Sequence, residues 1–399
     1  MTTEPFLRGV RVLDMAEALA GPYCGAILSD LGATVIKVER VQGDLMRRRG
    51  KGTATSIPFQ MIHRNKQDVA INFTDPRGAE IVRRLAMSVD VFLENFRPGV
   101  LDKYGLGHEV LLGDSPRLVY CSISGFGQNG PLRHAAGVDL IAQGYGGLLG
   151  VTGIPGVGLA KAGYPVSDVG SGMWAAIGIL AALERARRTG EGAYIDVSLV
   201  DTLVSWSLWE VADYQMTGEI PEPLGTAHRL TAPYEAFPCA DGQWLTIAVV
   251  DRYWKTFCNI IGVPELVTME QFQSEYSRFR HRAELTRVIE ERLRTEPRDV
   301  WMERLRQAGI PCGLVHDVAS MMEDPQIATR NMFVDVEADG VPMKLINTPI
   351  RSSGAPGITG TAPRVGEHTL DILADVGYAE GDLRHLAEEG VIALGDASV

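Results

Sequence analysis

The first half of the sequence predicts an α/β fold of the doubly wound kind, with helices on both faces of a parallel sheet. Val10–Met15 is an apolar run of strand length. Tyr23–Leu31 has helical character and stops at a glycine, and Thr34–Val38 is a second strand. A strand, a helix and a strand within about 30 residues form a βαβ unit, whose right-handed crossover makes the two strands parallel.

The same alternation continues along the chain. Asp75–Met87 and Ser171–Arg188 are predicted to be helices, and Val89–Glu94, Leu118–Ile123 and Tyr194–Ser198 to be strands. Strands that alternate with helices in this way indicate a parallel sheet with helices on its two faces.

The pattern changes after about residue 210. Prolines and glycines interrupt Glu219–Gly225, which is typical of a linker. Beyond it we expect a hairpin, charge-rich helices, a second strand pair and a helical C-terminal segment. The strands are predicted at Tyr234–Cys239, Trp244–Val249, Phe333–Ala338 and Pro342–Ile346, and the helical segment at His368–Leu386.

Composition excludes several classes of protein. Acidic residues outnumber basic ones by 50 to 38, so the formal net charge is −12, and this argues against a general nucleic-acid binder. The five cysteines are scattered without CxxC spacing, and the eight histidines form no HExxH motif. We therefore expect neither a disulfide framework nor a bound metal.

The chain also lacks the patterns of secretion and membrane insertion. Its first five residues, MTTEP, contain no basic or apolar leader region, and no uninterrupted apolar run reaches the ~18–20 residues of a membrane span. We expect a cytoplasmic protein without a membrane partner.

Two glycine patterns resemble a dinucleotide-binding fingerprint only weakly. They are Gly125/Gly127/Gly130 and Gly170/Gly172/Ala175, and neither lies at the first strand-to-helix turn, where the fingerprint belongs. The first is interpreted as a tight loop and the second as close helix packing. No GxxxxGK[ST] or GxSxG motif is present, which disfavours a P-loop and serine hydrolase chemistry.

A set of short strings, in order along the chain, resembles the family III CoA-transferases, the formyl-CoA and carnitine CoA-transferase group that shares its fold with 2-methylacyl-CoA racemases. The strings are Gly9–Asp14, Ala20–Pro22, Leu31–Glu39, Asn65–Lys66, Glu94–Gly99, Ser124–Gly127 with Gly130–Pro131, Gly309–Gly313 and Gly366–Thr369. None is decisive alone, but eight in the right order over almost the whole chain are specific.

The resemblance implies a Rossmann-like, doubly wound large domain built from both chain ends, plus a smaller α+β domain and an intertwined homodimer. The expected boundaries are 1–210 for the first part of the large domain, 211–225 for a linker, 226–320 for the small domain, and 321–399 for a second linker and the rest of the large domain.

The resemblance also implies the catalytic carboxylate. Asp168, just before the long apolar helix, matches the nucleophile of the family, and Asp139 matches an acidic residue near it. Racemases of this fold carry Gly-His-Asp where this chain has Gly137-Val138-Asp139. Valine cannot transfer a proton, so the transferase branch is favoured.

An aspartate suits CoA transfer on chemical grounds. A carboxylate can attack an acyl-CoA thioester to give a mixed anhydride, and the CoA thiolate can then form an aspartyl-CoA thioester, so the thioester energy is kept without ATP. Oxyanion donors are expected among the amides of Gly144–Gly147 or those after Asp168.

Coenzyme A is the expected co-substrate. Three basic residues match family positions near its phosphates, where arginine suits bidentate contacts, and six others match positions that line it. The basic residues are Arg40, Arg97 and Lys103, and the others are Ala18, Leu19, Ile71, Asn72, Asn95 and Phe96. Glu17 departs from the pattern, because some relatives have histidine there.

The acceptor acid is less constrained by the sequence. His228 and Arg229 could hold a second carboxylate, which suggests a dicarboxylate such as succinate, or they could form an ordinary hydrogen-bonding pair. Three hypotheses for function are an acyl-CoA:carboxylate CoA-transferase, favoured here, a 2-methylacyl-CoA racemase or epimerase, and a non-catalytic CoA-binding protein.

Overall fold

The structure, a computed structural model, describes residues 4–49 and 55–395. The first three residues, on which part of the leader prediction rests, lie outside that range. The chain folds into two compact units. Among the described residues, the first contains 4–49, 55–148, 162–207 and 325–395, and the second contains 149–161 and 208–324.

The described strands and helices have the following bounds. The strands are β1 (Arg11–Asp14), β2 (Thr34–Glu39), β3 (Gln67–Ile71), β4 (Val91–Glu94), β5 (Val119–Ser124), β6 (Gly153–Ile154), β7 (Gly158–Leu159), β8 (Ala193–Ser198), β9 (Tyr234–Pro238), β10 (Trp244–Ala248), β11 (Cys312–Leu314), β12 (Phe333–Ala338), β13 (Val341–Ile346) and β14 (Ile392–Ala393). The α-helices are α1 (Ala20–Asp30), α2 (Ile57–His63), α3 (Pro76–Ala86), α4 (His108–Asp114), α5 (Asp139–Tyr145), α6 (Leu148–Val151), α7 (Val166–Thr189), α8 (Leu199–Trp206), α9 (Leu208–Thr217), α10 (Asp251–Ile261), α11 (Glu275–Arg280), α12 (Arg282–Leu293), α13 (Arg298–Gln307), α14 (Val318–Glu323), α15 (Pro325–Thr329), α16 (Thr369–Asp375) and α17 (Glu380–Glu388).

A seven-stranded sheet organises the first unit. Its order is β14-β3-β2-β1-β4-β5-β8, and every pair is parallel except β14 with β3. The central order 3-2-1-4-5 with β8 at the end is that of a doubly wound sheet, so the predicted α/β class is confirmed.

Alternate residues of the central strands point into two separate cores. Val12 and Val91 pack with α1, α7 and α8 on one face, and Leu13 and Phe92 pack with α3, α16 and α17 on the other. Strands of a parallel sheet that is covered on both faces are apolar almost throughout, which explains why the sequence pattern identifies them.

The second unit has its own sheet and core. Strands β11-β10-β9 form an antiparallel sheet, and the predicted hairpin of β9 and β10 is present. One face carries Phe237, Leu245 and Ile247, which pack on Trp254 and Phe257 of α10. Residues 211–217 of the predicted linker are helical and belong to α9.

The C-terminal segment predicted to be helical is helical but interrupted. His368–Leu386 contains two helices, α16 and α17, because the chain turns at Gly377, whose φ is +93°. This left-handed conformation favours glycine and ends a helix.

By length and composition alone, helix α7 could cross a membrane. Half of its most apolar 18-residue window is buried inside the fold, where Ala175 and Ile179 belong to the core beneath the sheet. A core helix passes the same test, so the finding is weak evidence for a membrane span.

Buried ion pairs stabilise the carboxyl ends of the central strands. Lys66 Nζ lies 2.8 Å from Asp14 Oδ2 and 2.9 Å from the Pro22 carbonyl oxygen, and both charged side chains are fully buried. Lys37 Nζ lies 2.9 Å from Asp44 Oδ2 and 3.1 Å from the Ala16 carbonyl oxygen. Such pairs cost a large desolvation energy, which close geometry must offset.

We expect Lys66→Met to lower the free energy of unfolding by ~3–5 kcal/mol, because it leaves the Asp14 carboxylate buried without its partner. Urea titration followed by far-UV circular dichroism measures the change. The exposed pair Arg384–Glu380 in α17 provides the control, and Arg384→Met should cost only ~0.5 kcal/mol or less. Equal losses in the two variants would contradict the prediction.

Candidate active site

Loops at the carboxyl edge of the large sheet carry most of the residues predicted to bind coenzyme A. Ala18 and Leu19 follow β1, and Arg40 follows β2. Ile71 and Asn72 stand at the end of β3, and Asn95 and Phe96 follow β4. Because these four strands are neighbours in the sheet, their carboxyl ends meet at one edge, where ligands bind in open α/β sheets.

The loop between β1 and α1 is held in a specific conformation. Asn95 Oδ1 accepts a hydrogen bond from the Glu17 amide at 2.8 Å, and Asn95 Nδ2 donates to the Glu17 carbonyl at 2.7 Å. The next residue, Ala18, has a φ of +63°, which is uncommon for alanine and persists where surrounding contacts enforce it. The sequence gives no sign of this strain.

Arg40 lies against the same loop. Its Nη2 is 3.0 Å from Glu17 Oε1, and the arginine side chain is 55% exposed. An exposed ion pair of this kind contributes ~0–1 kcal/mol, so an incoming phosphate could replace the Glu17 carboxylate. Glu17, where some relatives have histidine, is thus the ion-pair partner of Arg40.

Arg97 and Lys103 line two different cavities. Arg97 borders a cavity of about 230 Å³ with Glu94, His108 and His134. Lys103 borders one of about 290 Å³ that is also lined by Tyr104. The structure therefore does not bring these two predicted phosphate ligands into one cavity.

An aromatic cluster adjoins the Lys103 cavity. The ring of Phe73 packs edge-on against Phe96 and Tyr104, with ring centres 5.5 and 5.6 Å apart. Tyr104 lines this cavity, and Phe96 is connected to it only through the ring of Phe73.

Asp168 lies in the first turn of α7. Pro165, at the start of this helix, offers no side-chain cap. Instead, the amide and the hydroxyl of Ser167 donate to Asp139 Oδ1 at 3.0 and 2.8 Å. The structure thus brings the two predicted catalytic carboxylates together, with Asp139 capping the helix that carries Asp168.

The environment of Asp168 raises its pKa to about 6. Partial burial is the larger cause, and the negative charge of Asp139 adds to it. Both effects disfavour the ionised form of the Asp168 carboxyl. At neutral pH the Asp168 side chain is still mostly ionised and can act as a nucleophile.

Helix α7 packs closely on α1 one turn beyond Asp168. Asp168 and Gly172 are four residues apart and share a helix face. A β-carbon at Gly172 would lie 2.6 Å from the Ala20 carbonyl oxygen, so only glycine permits this approach. Gly172, one helical turn along α7 from Asp168, therefore lies against the first residue of α1, which follows Ala18 and Leu19 directly.

Two backbone amides among the candidate oxyanion donors are hydrogen-bonded to backbone carbonyls. The Gly146 amide donates to the Ala142 carbonyl at 2.7 Å, and the Val169 amide donates to the Pro165 carbonyl at 3.0 Å. These two amides are thus already engaged in the described conformation.

The position that distinguishes racemases has no proton-transfer group here. The Val138 side chain is exposed, and His134 Nε2 accepts a hydrogen bond from Arg133 Nε at 3.0 Å. His134 borders the Arg97 cavity.

His228 and Arg229 belong to the second unit and have separate partners there. Arg229 Nε lies 3.2 Å from Glu210 Oε1, its Nη2 donates to the Glu222 carbonyl, and its side chain is 11% exposed. His228 Nδ1 accepts from the Leu230 amide, and its ring stacks on Tyr234 at 4.7 Å. Within this unit, the two side chains do not converge on one point.

Sequence reasoning missed Ser167 and Gln143. The amide and hydroxyl of Ser167 hold Asp139, and Gln143 Nε2 donates to Asp139 Oδ2 at 2.8 Å. The available signals were a serine directly before the predicted nucleophile and the four-residue spacing of Asp139 and Gln143, which places both on one helix face.

Comparison with known proteins gives consistent matches over nearly the whole chain. The family model described as CoA-transferase family III matches residues 7–369. A succinate–glutarate CoA-transferase of Agrobacterium fabrum is 36% identical over 385 residues, covering 94% of this chain and 96% of that protein. A succinyl-CoA–D-citramalate CoA-transferase of Chloroflexus aurantiacus is 35% identical, covering 97% and 98%.

A solved structure shares the fold. The CAIB/BAIF family protein from Brucella suis superimposes with a TM-score of 0.82 at 37% identity, covering 94% of this chain and 100% of that one. The family match spans most of the chain, and the two relatives align over nearly their full lengths. The chain belongs to CoA-transferase family III and is an enzyme of that family.

Proposed function

We propose that the protein transfers coenzyme A from succinyl-CoA, or a similar short acyl-CoA, to a dicarboxylate, with Asp168 as the covalent nucleophile. The observation that carries the proposal is the position of Asp168. It is a partly buried carboxylate with a raised pKa in the first turn of α7, one turn from the contact with α1. The names of the relatives, which contain succinyl-CoA, glutarate and citramalate, support the choice of substrates.

The reaction divides into two matched halves. The Asp168 carboxylate attacks the acyl-CoA carbonyl carbon, the C–S bond breaks, and a mixed anhydride and free CoA thiolate result. The thiolate attacks the aspartyl carbonyl carbon of this anhydride, so the donor acid leaves as a carboxylate and an aspartyl-CoA thioester remains. The acceptor carboxylate then passes through the same steps in reverse and leaves as its CoA thioester, which restores Asp168.

Other residues have supporting roles in this proposal. Asp139 orients the first turn of α7, and Arg40 and Lys103 contact phosphates of the coenzyme, with Arg97 as a third basic contact. Ala18, Leu19, Ile71, Asn72, Asn95 and Phe96 line the coenzyme along the carboxyl edge of the sheet. Charge-assisted bonds from arginine to phosphate are among the stronger hydrogen bonds in proteins.

We also propose that the protein is an interlocked homodimer. Helix α7 buries one side in the core of its own unit, yet Met173, Trp174 and Ile177 on another side are 44–54% exposed. Exposed large apolar residues grouped on one helix typically mark an interaction surface. A second copy of the chain is the partner that the resemblance implies.

We expect Asp168→Asn and Asp168→Ala to lose transferase activity by several orders of magnitude while CoA binding is kept. The amide is uncharged and cannot attack the thioester, and the proposed phosphate contacts lie elsewhere. After incubation of the wild type with acyl-CoA alone, digestion and mass spectrometry should find the CoA adduct on the Asp168 peptide. Asp201, in the first turn of α8, provides a matched control, and Asp201→Asn should stay active. An adduct on another carboxylate would overturn the mechanism.

We expect Arg229→Ala to raise the KM for a dicarboxylate acceptor by roughly 10- to 150-fold, the equivalent of ~1.5–3 kcal/mol for one charge-assisted bond. The KM for a monocarboxylate should change much less. Glu210→Gln is the matched control, because it removes the charge of the partner of Arg229 and leaves the guanidinium in place, so dicarboxylate affinity should be kept. If Arg229→Ala and Glu210→Gln impair both acceptor classes equally, the pair is structural and the assignment fails.

We expect sedimentation at nanomolar concentration to show a dimer, because an interlocked contact buries far more than a standard interface of ~1,600 Å². Trp174→Glu, which places a charge on the exposed side of α7, should reduce the dimer fraction. Val110→Glu changes a comparably exposed residue of α4 and should have no such effect. A wild-type monomer would contradict the proposal.

A further inference from the structure

Helix α5 contacts the segment that leads into α7 through two side chains. Asp139 and Gln143 are one turn apart, and Gln143 Nε2 donates to Asp139 Oδ2 at 2.8 Å. Asp139 Oδ1 accepts from the amide and hydroxyl of Ser167. Gln143 Oε1 accepts from the Ala162 amide at 2.9 Å. Both ends of residues 162–167 are therefore held by one short helix.

The orientation of the Gln143 amide follows from its surroundings. Its side chain is fully buried, so each polar atom needs a partner. In the observed orientation, the NH₂ group faces a carboxylate oxygen and the carbonyl oxygen faces a backbone N–H. A flipped amide would set oxygen against oxygen and donor against donor, so the alternative is excluded on chemical grounds.

These contacts fix the position of Asp139 closely. Three donors face its two oxygens, two from Ser167 and one from Gln143. Ser167 is fully buried and directly precedes Asp168. A shift of Asp139 would therefore be transmitted to the first turn of α7 through one residue.

We propose that Gln143 is a positioning residue for the nucleophile: it holds Asp139 and the Ala162 backbone, and thereby sets the place and the charge environment of Asp168. This inference rests on the proposed role of Asp168. Gln143 does not contact the reacting atoms. It acts through Asp139, which holds Ser167, and through the Ala162 amide, so that both ends of residues 162–167 are fixed.

A displacement of Asp139 should change the pH dependence of the rate. Asp139 is the group whose charge acts on Asp168 besides the effect of burial. If Asp139 moves away, the Asp168 pKa should fall, and if a further carboxylate is added beside Asp139, the Asp168 pKa should rise. Since the ionised form is the nucleophile, the acid limb of the rate profile should follow these shifts.

Two substitutions at one position separate these effects. Gln143→Leu removes both hydrogen bonds without adding charge. Gln143→Glu keeps an acceptor for the Ala162 amide but sets a carboxylate against Asp139. We expect both to lower kcat by roughly 10- to 100-fold, because small displacements of a reacting group are costly, with the KM for acyl-CoA changed by about 2-fold or less. The acid limb should move to lower pH in Gln143→Leu and to higher pH in Gln143→Glu, by about half a pH unit or more.

Gln60 provides the matched control. It is also buried in the first unit, in α2, and its Oε1 accepts from the Ala362 amide at 2.8 Å. Gln60→Leu should lose comparable thermal stability and keep the wild-type kcat and acid limb. Ser167→Ala is a milder variant, because it removes the hydrogen bond from the hydroxyl to Asp139 and keeps the one from the Ser167 amide. It should shift the acid limb in the same direction as Gln143→Leu.

The outcomes are distinct. Opposite shifts of the acid limb in the two Gln143 variants, with none in Gln60→Leu, support the inference. A wild-type kcat and profile in Gln143→Leu overturn it, as do identical changes in Gln60→Leu. If Gln143→Leu fails to fold, an unshifted limb in both Gln143→Glu and Ser167→Ala overturns it. If the proposed function itself is wrong, the wild type should show no CoA adduct on Asp168, and this result distinguishes that failure from a failure of the inference about Gln143.

Discussion

The close approach of α7 to α1 is the constraint on which the arrangement of the site depends. The two helices lie on the same face of the large sheet and share its core, and at Gly172 there is no room for a side chain. Gly170, on the opposite side of α7, is packed just as closely against Trp206 and Thr202 of α8. Helix α7 is thus held from two sides at its first turns, and the carboxylate at its start cannot shift along the sheet without loss of this packing.

The β1–α1 loop, which faces this helix end, is held by polar side chains. Lys37 binds the Ala16 carbonyl, Asn95 brackets Glu17 with two hydrogen bonds, and Lys66 binds the Pro22 carbonyl. Buried polar groups are costly unless they are satisfied, and when satisfied they select a single conformation. Here they maintain an alanine at positive φ beside an exposed Arg40. If Arg40 binds a phosphate of the coenzyme as proposed, this rigid loop means that binding requires little ordering of the backbone.

The sequence predicted the central strands because each is an apolar run covered on both faces. In the parallel sheet that these strands form, the loops after β1, β2 and β4 lie at one edge. The sequence did not indicate β3, which begins with Gln67 and Asp68. The buried Asp68 accepts a hydrogen bond from the Gly366 amide, a partner 298 residues away that no local pattern reveals. The same holds at the site. Asp168 and Asp139 followed from the resemblance, but the contacts of Gln143 with Ala162 and of Ser167 with Asp139 depend on tertiary packing, as does the pairing of Arg229 with Glu210.

The environment of Asp168 also suits the chemistry that a carboxylate nucleophile must perform. An ordinary aspartate, with a pKa near 3.9, is fully ionised at neutral pH but weakly basic and well solvated, so its attack on a thioester is slow. Partial burial removes water from the Asp168 carboxylate, and together with the nearby Asp139 charge it raises the pKa to about 6, so the carboxylate is more basic. A much higher pKa would leave the group protonated at neutral pH, and a protonated acid does not attack. The environment of Asp168 lies between these limits, where a carboxylate acting as the proposed nucleophile would be both mostly ionised and more basic.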